Sequence, residues 1–198
     1  MPRILRQLFQ VFFGTSLIGV GISLNYLANL GLGPWGVFHD GLSKTLGITY
    51  GRTIIYTGIF IMLLWIPLKQ KPGIGTLIDV FLVGTVADLI IPSFNVASNL
   101  FQSGLLIFLG IIAIGSGTAI YVGAGLGVGP RDGIMTGLEA LGLKIGFARN
   151  IIELFAFLTG WLLGGLVGYV TILFVIGIGP VVQKVLPYVD MRKWQNLY

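Results

Sequence analysis

The sequence predicts an all-α polytopic membrane protein with about six transmembrane helices plus two short helices, organised as two inverted three-span repeats. Three observations carry this expectation: scarce charge in an apolar chain, six apolar runs, and an internal match at one constant offset. Of 198 residues, 55% are hydrophobic and only 10% charged, against roughly 25% charged positions in soluble domains. Such a chain needs a bilayer as its solvent, so residues 1–198 read as one membrane domain. The net charge of +5 does not indicate nucleic acid, because the basic residues flank apolar runs instead of forming a solvated face. There is no cysteine, hence no disulfide framework, thiolate metal site or cysteine nucleophile.

The first element is the apolar run 7–30. Arg3 and Arg6 before it resemble a signal n-region, but the run shows no small-residue cleavage site, so a retained helix is expected. Further runs at 52–68, 74–92, 103–124, 149–163 and 167–187 bring the candidate spans to six. With a cytoplasmic N-terminus, Arg3, Arg6, Lys69, Lys71, Arg131, Lys144, Arg149, Lys184, Arg192 and Lys193 fall inside. Only Lys44 and Arg52 fall outside, which by the positive-inside rule places both termini in the cytoplasm of a bacterial inner membrane. Tyr188, Trp194 and Tyr198 suit an anchor at the inner interface, or an ordinary frayed tail.

An offset of 96 residues superposes Gly14, Gly19, Gly21, Gly31, Gly33, Pro34 and Gly41 on Gly110, Gly115, Gly117, Gly127, Gly129, Pro130 and Gly137. One added residue then pairs Arg52 with Arg149 and Ile54 with Ile151. The repeats run over about 7–96 and 103–190. An odd number of spans in each unit forces the second copy to enter from the opposite face. That inversion requires the short helices 34–46 and 130–143 not to cross, and 13 residues cover only about 20 Å of a core about 30 Å thick. Small residues seven apart, Gly14, Gly21 and Ala28 with Gly110, Gly117 and Ala124, predict close approach of the two long helices.

Each unit is interrupted by a Gly-Pro break, Gly31–Trp35 and Gly127–Arg131. Backbone groups freed there are tolerated in a membrane only when buried in protein or facing a watery cavity, and paired breaks point to a transporter's site. A surface turn is the competing reading. Gly33, Pro34, Trp35, His39 and Asp40, with Gly129, Pro130, Arg131 and Asp132, are therefore the candidate substrate-binding residues. Arg131 and a helix N-terminus together could hold an anionic group. Asp132 also reads as a helix-start carboxylate, and His39 as an interfacial polar residue.

Charged residues within spans are costly and mark function by default. Asp79 is preferred over Asp88 as an ion- or proton-coupling residue, and nine residues of separation put the two on opposite helix faces. Arg149 and Glu153, four apart, form either a structural ion pair or part of the coupling machinery.

The string Gly31-Leu-Gly-Pro-Trp-Gly-Val-Phe-His-Asp-Gly-Leu-Ser43, with Trp65-Ile-Pro-Leu68 and Lys71-Pro-Gly-Ile-Gly-Thr76, resembles the YczE/YyaS/YitT-like family of bacterial integral membrane proteins. The resemblance runs over nearly the whole chain and implies a membrane protein. It implies no catalytic residues. The family's commonly acidic position after the tryptophan is Gly36 here, so no charge-based role at that position carries over.

The leading functional expectation is a small transporter or permease that moves a small solute, an anionic one by the Arg131 argument, through rocking of the repeats. The alternative is a non-transporting binding or accessory subunit of a larger transport or biosynthetic complex. The absence of a nucleophile elbow or metal-ligand spacing disfavours an enzyme, and neither cofactor nor metal is expected. The expected partners are the bilayer and a small solute, with a homodimer or larger membrane complex compatible with the chain's size.

Overall fold

In a computed structural model that describes residues 2–191, eight α-helices and no strands occur among the described residues. They are α1 (Arg3–Ala28), α2 (Pro34–Leu46), α3 (Tyr50–Leu64), α4 (Ile74–Ile90), α5 (Leu100–Gly123), α6 (Pro130–Ala140), α7 (Ile145–Leu162) and α8 (Val170–Val189). Arg192, Lys193, Trp194 and Tyr198, which entered the orientation and anchor expectations, lie outside the described residues.

Local chemistry sets the boundaries. Pro34 and Pro130 open α2 and α6 at the first turn, where a missing N–H costs nothing. Thr49 caps α3 by accepting from Arg52 N–H, and Asn99 caps α5 by accepting from Gln102 N–H at 2.9 Å. Gly31 and Gly127 occupy φ of 115° and 140°, which a side chain would strain, and these two residues turn the chain at the breaks.

Three of these helices are long and apolar enough to span a membrane: α1, α5, and α4 extended by the 3₁₀ turn Ile91–Ser93. The pair α2 and α3 forms a fourth apolar unit, bent by 108°. The run expected at 52–68 begins within α3, the second limb of this bent pair, and Gly47 at φ 65° makes the turn after α2. The runs expected at 149–163 and 167–187 coincide with α7 and α8.

The centre is the α1–α5 pair, which runs antiparallel. Gln7 Nε2 donates to Ala124 O at 2.8 Å near one end, and Ala97 N–H donates to Leu27 O at 2.9 Å near the other. Between them, a Cβ on Gly14 would lie 2.7 Å from Gly117 O, and one on Gly117 would lie 2.6 Å from Gly14 O. Only glycine permits backbones this close. α4 packs on α1 and α8 packs on α5, while α2 packs on α7.

Matched contacts recur on both sides of this centre. Thr76 Oγ1 donates to Val128 O at 2.8 Å, and Thr171 Oγ1 donates to Leu32 O at 2.7 Å. Gly73 abuts Leu126 O as Gly168 abuts Leu30 O. These pairs relate α4 to α8 at an offset of 95, extending the sequence match beyond the position where residue identity fades.

Candidate functional site: a cavity between the two Gly-Pro breaks

The two breaks start at opposite ends of the α1–α5 pair. Twenty residues of α1 separate Gln7 from Leu27, about 30 Å of helix, with the second break beside the first of these and the first break beside the second. Yet the Arg131 guanidinium carbon lies 5.4 Å from the centre of the Trp35 ring. Both segments therefore run inward after their breaks, and the N-termini of α2 and α6 face the interior.

The breaks line one cavity of about 470 Å³. Of the residues expected at a site, Gly33, Pro34, Trp35, His39, Gly129, Pro130, Arg131 and Asp132 all line it, as do Asp79, Arg149 and Glu153. Trp35 and Arg131 occupy matched positions in the two repeats, so their contact lies where the halves meet. Asp79 and Asp132 each bring a carboxylate oxygen to within 3.6 Å of where a Gly129 side chain would begin. Arg149 Nε donates to Glu153 Oε1 at 2.9 Å, so the predicted pair exists and also borders the cavity. His39 is buried in a ring cluster with Trp35, Phe38 and Tyr50.

Asp40 does not reach this cavity. Its carboxylate accepts from Lys44 Nζ at 2.7 Å and from Leu166 N–H at 2.7 Å, tying α2 to the loop between α7 and α8. Gly36, one turn earlier on the same face of α2, does line the cavity, so Asp40 lies beyond it along the helix. Asp88 is likewise structural: it accepts from Thr49 Oγ1 and, at 2.7 Å, from Gly51 N–H. Its placement agrees with the expected opposition of Asp79 and Asp88.

Three cavity groups carry buried polar atoms without a partner, and two of them, Asn25 and Thr57, escaped the sequence reading. Asn25 is 1% exposed, and neither its amide oxygen nor its nitrogen has a hydrogen-bond partner. Thr57 Oγ1 and Trp35 Nε1 are also buried without a partner. All three line the cavity. A buried polar group left unpaired costs about 1–3 kcal/mol, so such groups around one space favour water or a polar ligand within it. Asn25 was detectable as a primary amide inside an apolar helix, a signal that a search confined to charged residues overlooks.

Trp65 had no role assigned beyond the resemblance. It is 2% exposed, and its Nε1 donates to Pro130 O at 2.9 Å. This bond anchors the second break to the end of α3. Among the described residues, no group of three or more His, Asp or Glu side chains is arranged to hold a metal ion.

Residues 5–187 match the model of a family of unknown function, DUF6198. The chain belongs to this family. A Haemophilus influenzae relative described as an uncharacterized protein is 35% identical over 174 residues, covering 87% of this chain and 80% of its own length. The uncharacterized membrane protein YczE of Bacillus subtilis is 34% identical over 191 residues, covering 93% and 86%. YyaS of the same organism is 28% identical over 182 residues, covering 89% and 90%. The resemblance read from the Gly-Leu-Gly-Pro-Trp string and its neighbours is thereby shown, and with it the membrane character of the chain. No solved structure matches it.

Proposed function

We propose that the protein is a small secondary transporter or permease of the bacterial inner membrane, with both termini cytoplasmic, and that the cavity between the breaks is its solute site. The observation that carries this reading is the convergence of both Gly-Pro breaks, from opposite ends of the fold, on one cavity with unpartnered polar groups. The antiparallel α1–α5 pair and the matched contacts of α4 and α8 support two inverted repeats. Six spans follow if α3, α7 and α8 each cross and the short helices are re-entrant. Nothing in the cavity resembles a nucleophile with its base, so the proposed activity is movement of a solute without chemistry.

The charge set refines the expected solute. Arg149 is matched by Glu153, which leaves one guanidinium, Arg131, facing two carboxyl groups, Asp79 and Asp132. The inward N-termini of α2 and α6 add positive partial charge. A purely anionic solute would meet both carboxyl groups, so the site suits a small zwitterion. Its acid group faces Arg131 and the helix N-termini, and its ammonium faces Asp79 and Asp132.

Uptake into liposomes containing the purified protein tests this with amino acids, dicarboxylates and polyamines, each with and without a proton gradient. Accumulation of a zwitterion supports the reading. Binding without uptake under every gradient would refute autonomous transport and favour a non-transporting capture subunit.

A further inference from the structure

The two halves match closely at the centre but differ at one seam. In the first half α3 packs on α4: a Cβ on Gly51 would collide with Gly84 O, one on Gly84 would collide with Gly51 O, and Asp88 binds the N-terminus of α3 through Gly51 N–H and Thr49 Oγ1. The seam continues to Gly58, whose Cβ would lie 3.5 Å from that of Val80. Among the described residues, the counterpart seam, α7 with α8, shows no such packing. Among the described residues, Gly179, which corresponds to Gly84, has no atom within 4 Å of a Cβ position, and neither does Gly146, which corresponds to Thr49. Gln183 stands at the position of Asp88, and with Gly179, Arg149 and Glu153 it lines the cavity.

The cavity is therefore shut on the side of the α3 N-terminus and unsealed on the side of the α7 N-terminus. These sides belong to opposite ends of the molecule: α3 begins beside the end of α4, where α1 also ends, and α8 ends beside the start of α1 through Gln10 Nε2 donating to Val189 O at 2.6 Å. We propose that the α3–α4 and α7–α8 seams are a pair of alternating gates, and that the chain reaches a second state in which they exchange roles. In that state Gly179 packs against α7 as Gly84 packs against α3, Gln183 caps the N-terminus of α7, and the Asp88 latch is released. A carboxylate latch on one seam and an amide on the other make the two gates unequal, with the Asp88 gate favoured when the site is empty. The matched but unequally packed halves require this asymmetry whatever solute is carried, so the inference rests on the solute-site reading only for the direction of access.

The chain has no cysteine, so engineered pairs are read without background. Gly58→Cys with Val80→Cys has a Cβ separation inside the disulfide range of about 3.5–4.5 Å. It should oxidise readily in membranes and hold the first seam shut. Ile152→Cys with Gly179→Cys, the counterpart of the Ile55–Gly84 contact, should cross-link only in the exchanged state. In the four-cysteine protein, prior oxidation of the first pair should suppress cross-linking of the second. Asp88→Ala should raise cross-linking of the second pair by on the order of tenfold, the equivalent of one charge-assisted hydrogen bond. Failure of the second pair to cross-link in any variant, although each single-cysteine protein folds and labels, would overturn the proposal. So would simultaneous cross-linking of both pairs in one molecule. Neither outcome depends on knowing the solute, so both are separable from failure of the uptake experiment.

Discussion

Replacing Gly14 by alanine places a methyl carbon 2.7 Å from Gly117 O and 2.7 Å from Tyr121 N. Both are backbone atoms of the facing helix, so no rotamer change relieves the contact and the α1–α5 pair must part. Overpacking of this kind costs about 1–3 kcal/mol. Gly104 provides the control: it lies within α5, is exposed, and has nothing within 4 Å of a Cβ. Both substitutions gain the same helix propensity, about 0.5–1 kcal/mol, so the difference between them isolates the helix–helix contact. Gly117→Ala meets Gly14 O from the other side, at 2.6 Å. Once one alanine has parted the pair, the second has less to displace, so the double variant should cost less than the sum of the singles, by about 0.5 kcal/mol or more. Reversible unfolding in mixed micelles, followed by circular dichroism, measures all four proteins. If Gly14→Ala is as stable as Gly104→Ala, or if the two seam substitutions add, the close antiparallel centre is wrong.

Asn25→Leu should leave stability unchanged or raise it, by up to about 1–3 kcal/mol, because the buried amide has no partner to lose. The same variant should lose solute affinity, and a destabilised protein with normal affinity would make Asn25 structural. Asp40→Ala should cost about 1–3 kcal/mol, because it strips the acceptor from Leu166 N–H; Lys44 is half exposed and adds little. Its solute affinity should be unchanged, as measured by equilibrium binding. Trp65→Phe keeps most of the buried ring but leaves Pro130 O without its donor, for a loss of about 1–3 kcal/mol visible as a lower melting temperature. An unchanged melting temperature would remove Trp65 as the anchor of the second break.

What could be read in advance was what local chemistry encodes. Gly31-Leu-Gly-Pro and Gly127-Val-Gly-Pro announce breaks because only glycine tolerates those φ values and only proline opens a helix without wasting a donor, and the glycine stripes of α1 and α5 announce a close crossing. Asp79 and Arg131 stood out because charge in an apolar run is costly. The assignment of Asp40 to the site failed because its partner is Leu166 N–H, 126 residues away, and no local pattern records that contact. The correspondence of α4 with α8 was hidden because it survives mainly in Gly73 and Gly168 and in Thr76 and Thr171, whose roles are contacts with the opposite repeat. The unequal seams were invisible for a related reason: Gly84 and Gly179 are the same residue, and only their neighbours differ.

If the matched breaks form one solute site at the contact of Trp35 with Arg131, Arg131 sets the affinity for the solute and Asp40 does not. Equilibrium binding of a radiolabelled amino acid accumulated in the uptake experiment, compared among wild type, Arg131→Gln and Asp40→Asn, tests it most directly. Loss of the cavity-lining guanidinium of Arg131 should weaken binding at least tenfold, about 1.4 kcal/mol, while Asp40→Asn, outside the cavity, should bind as wild type does. Undiminished binding by folded Arg131→Gln, or an equal loss in both variants, would contradict the account.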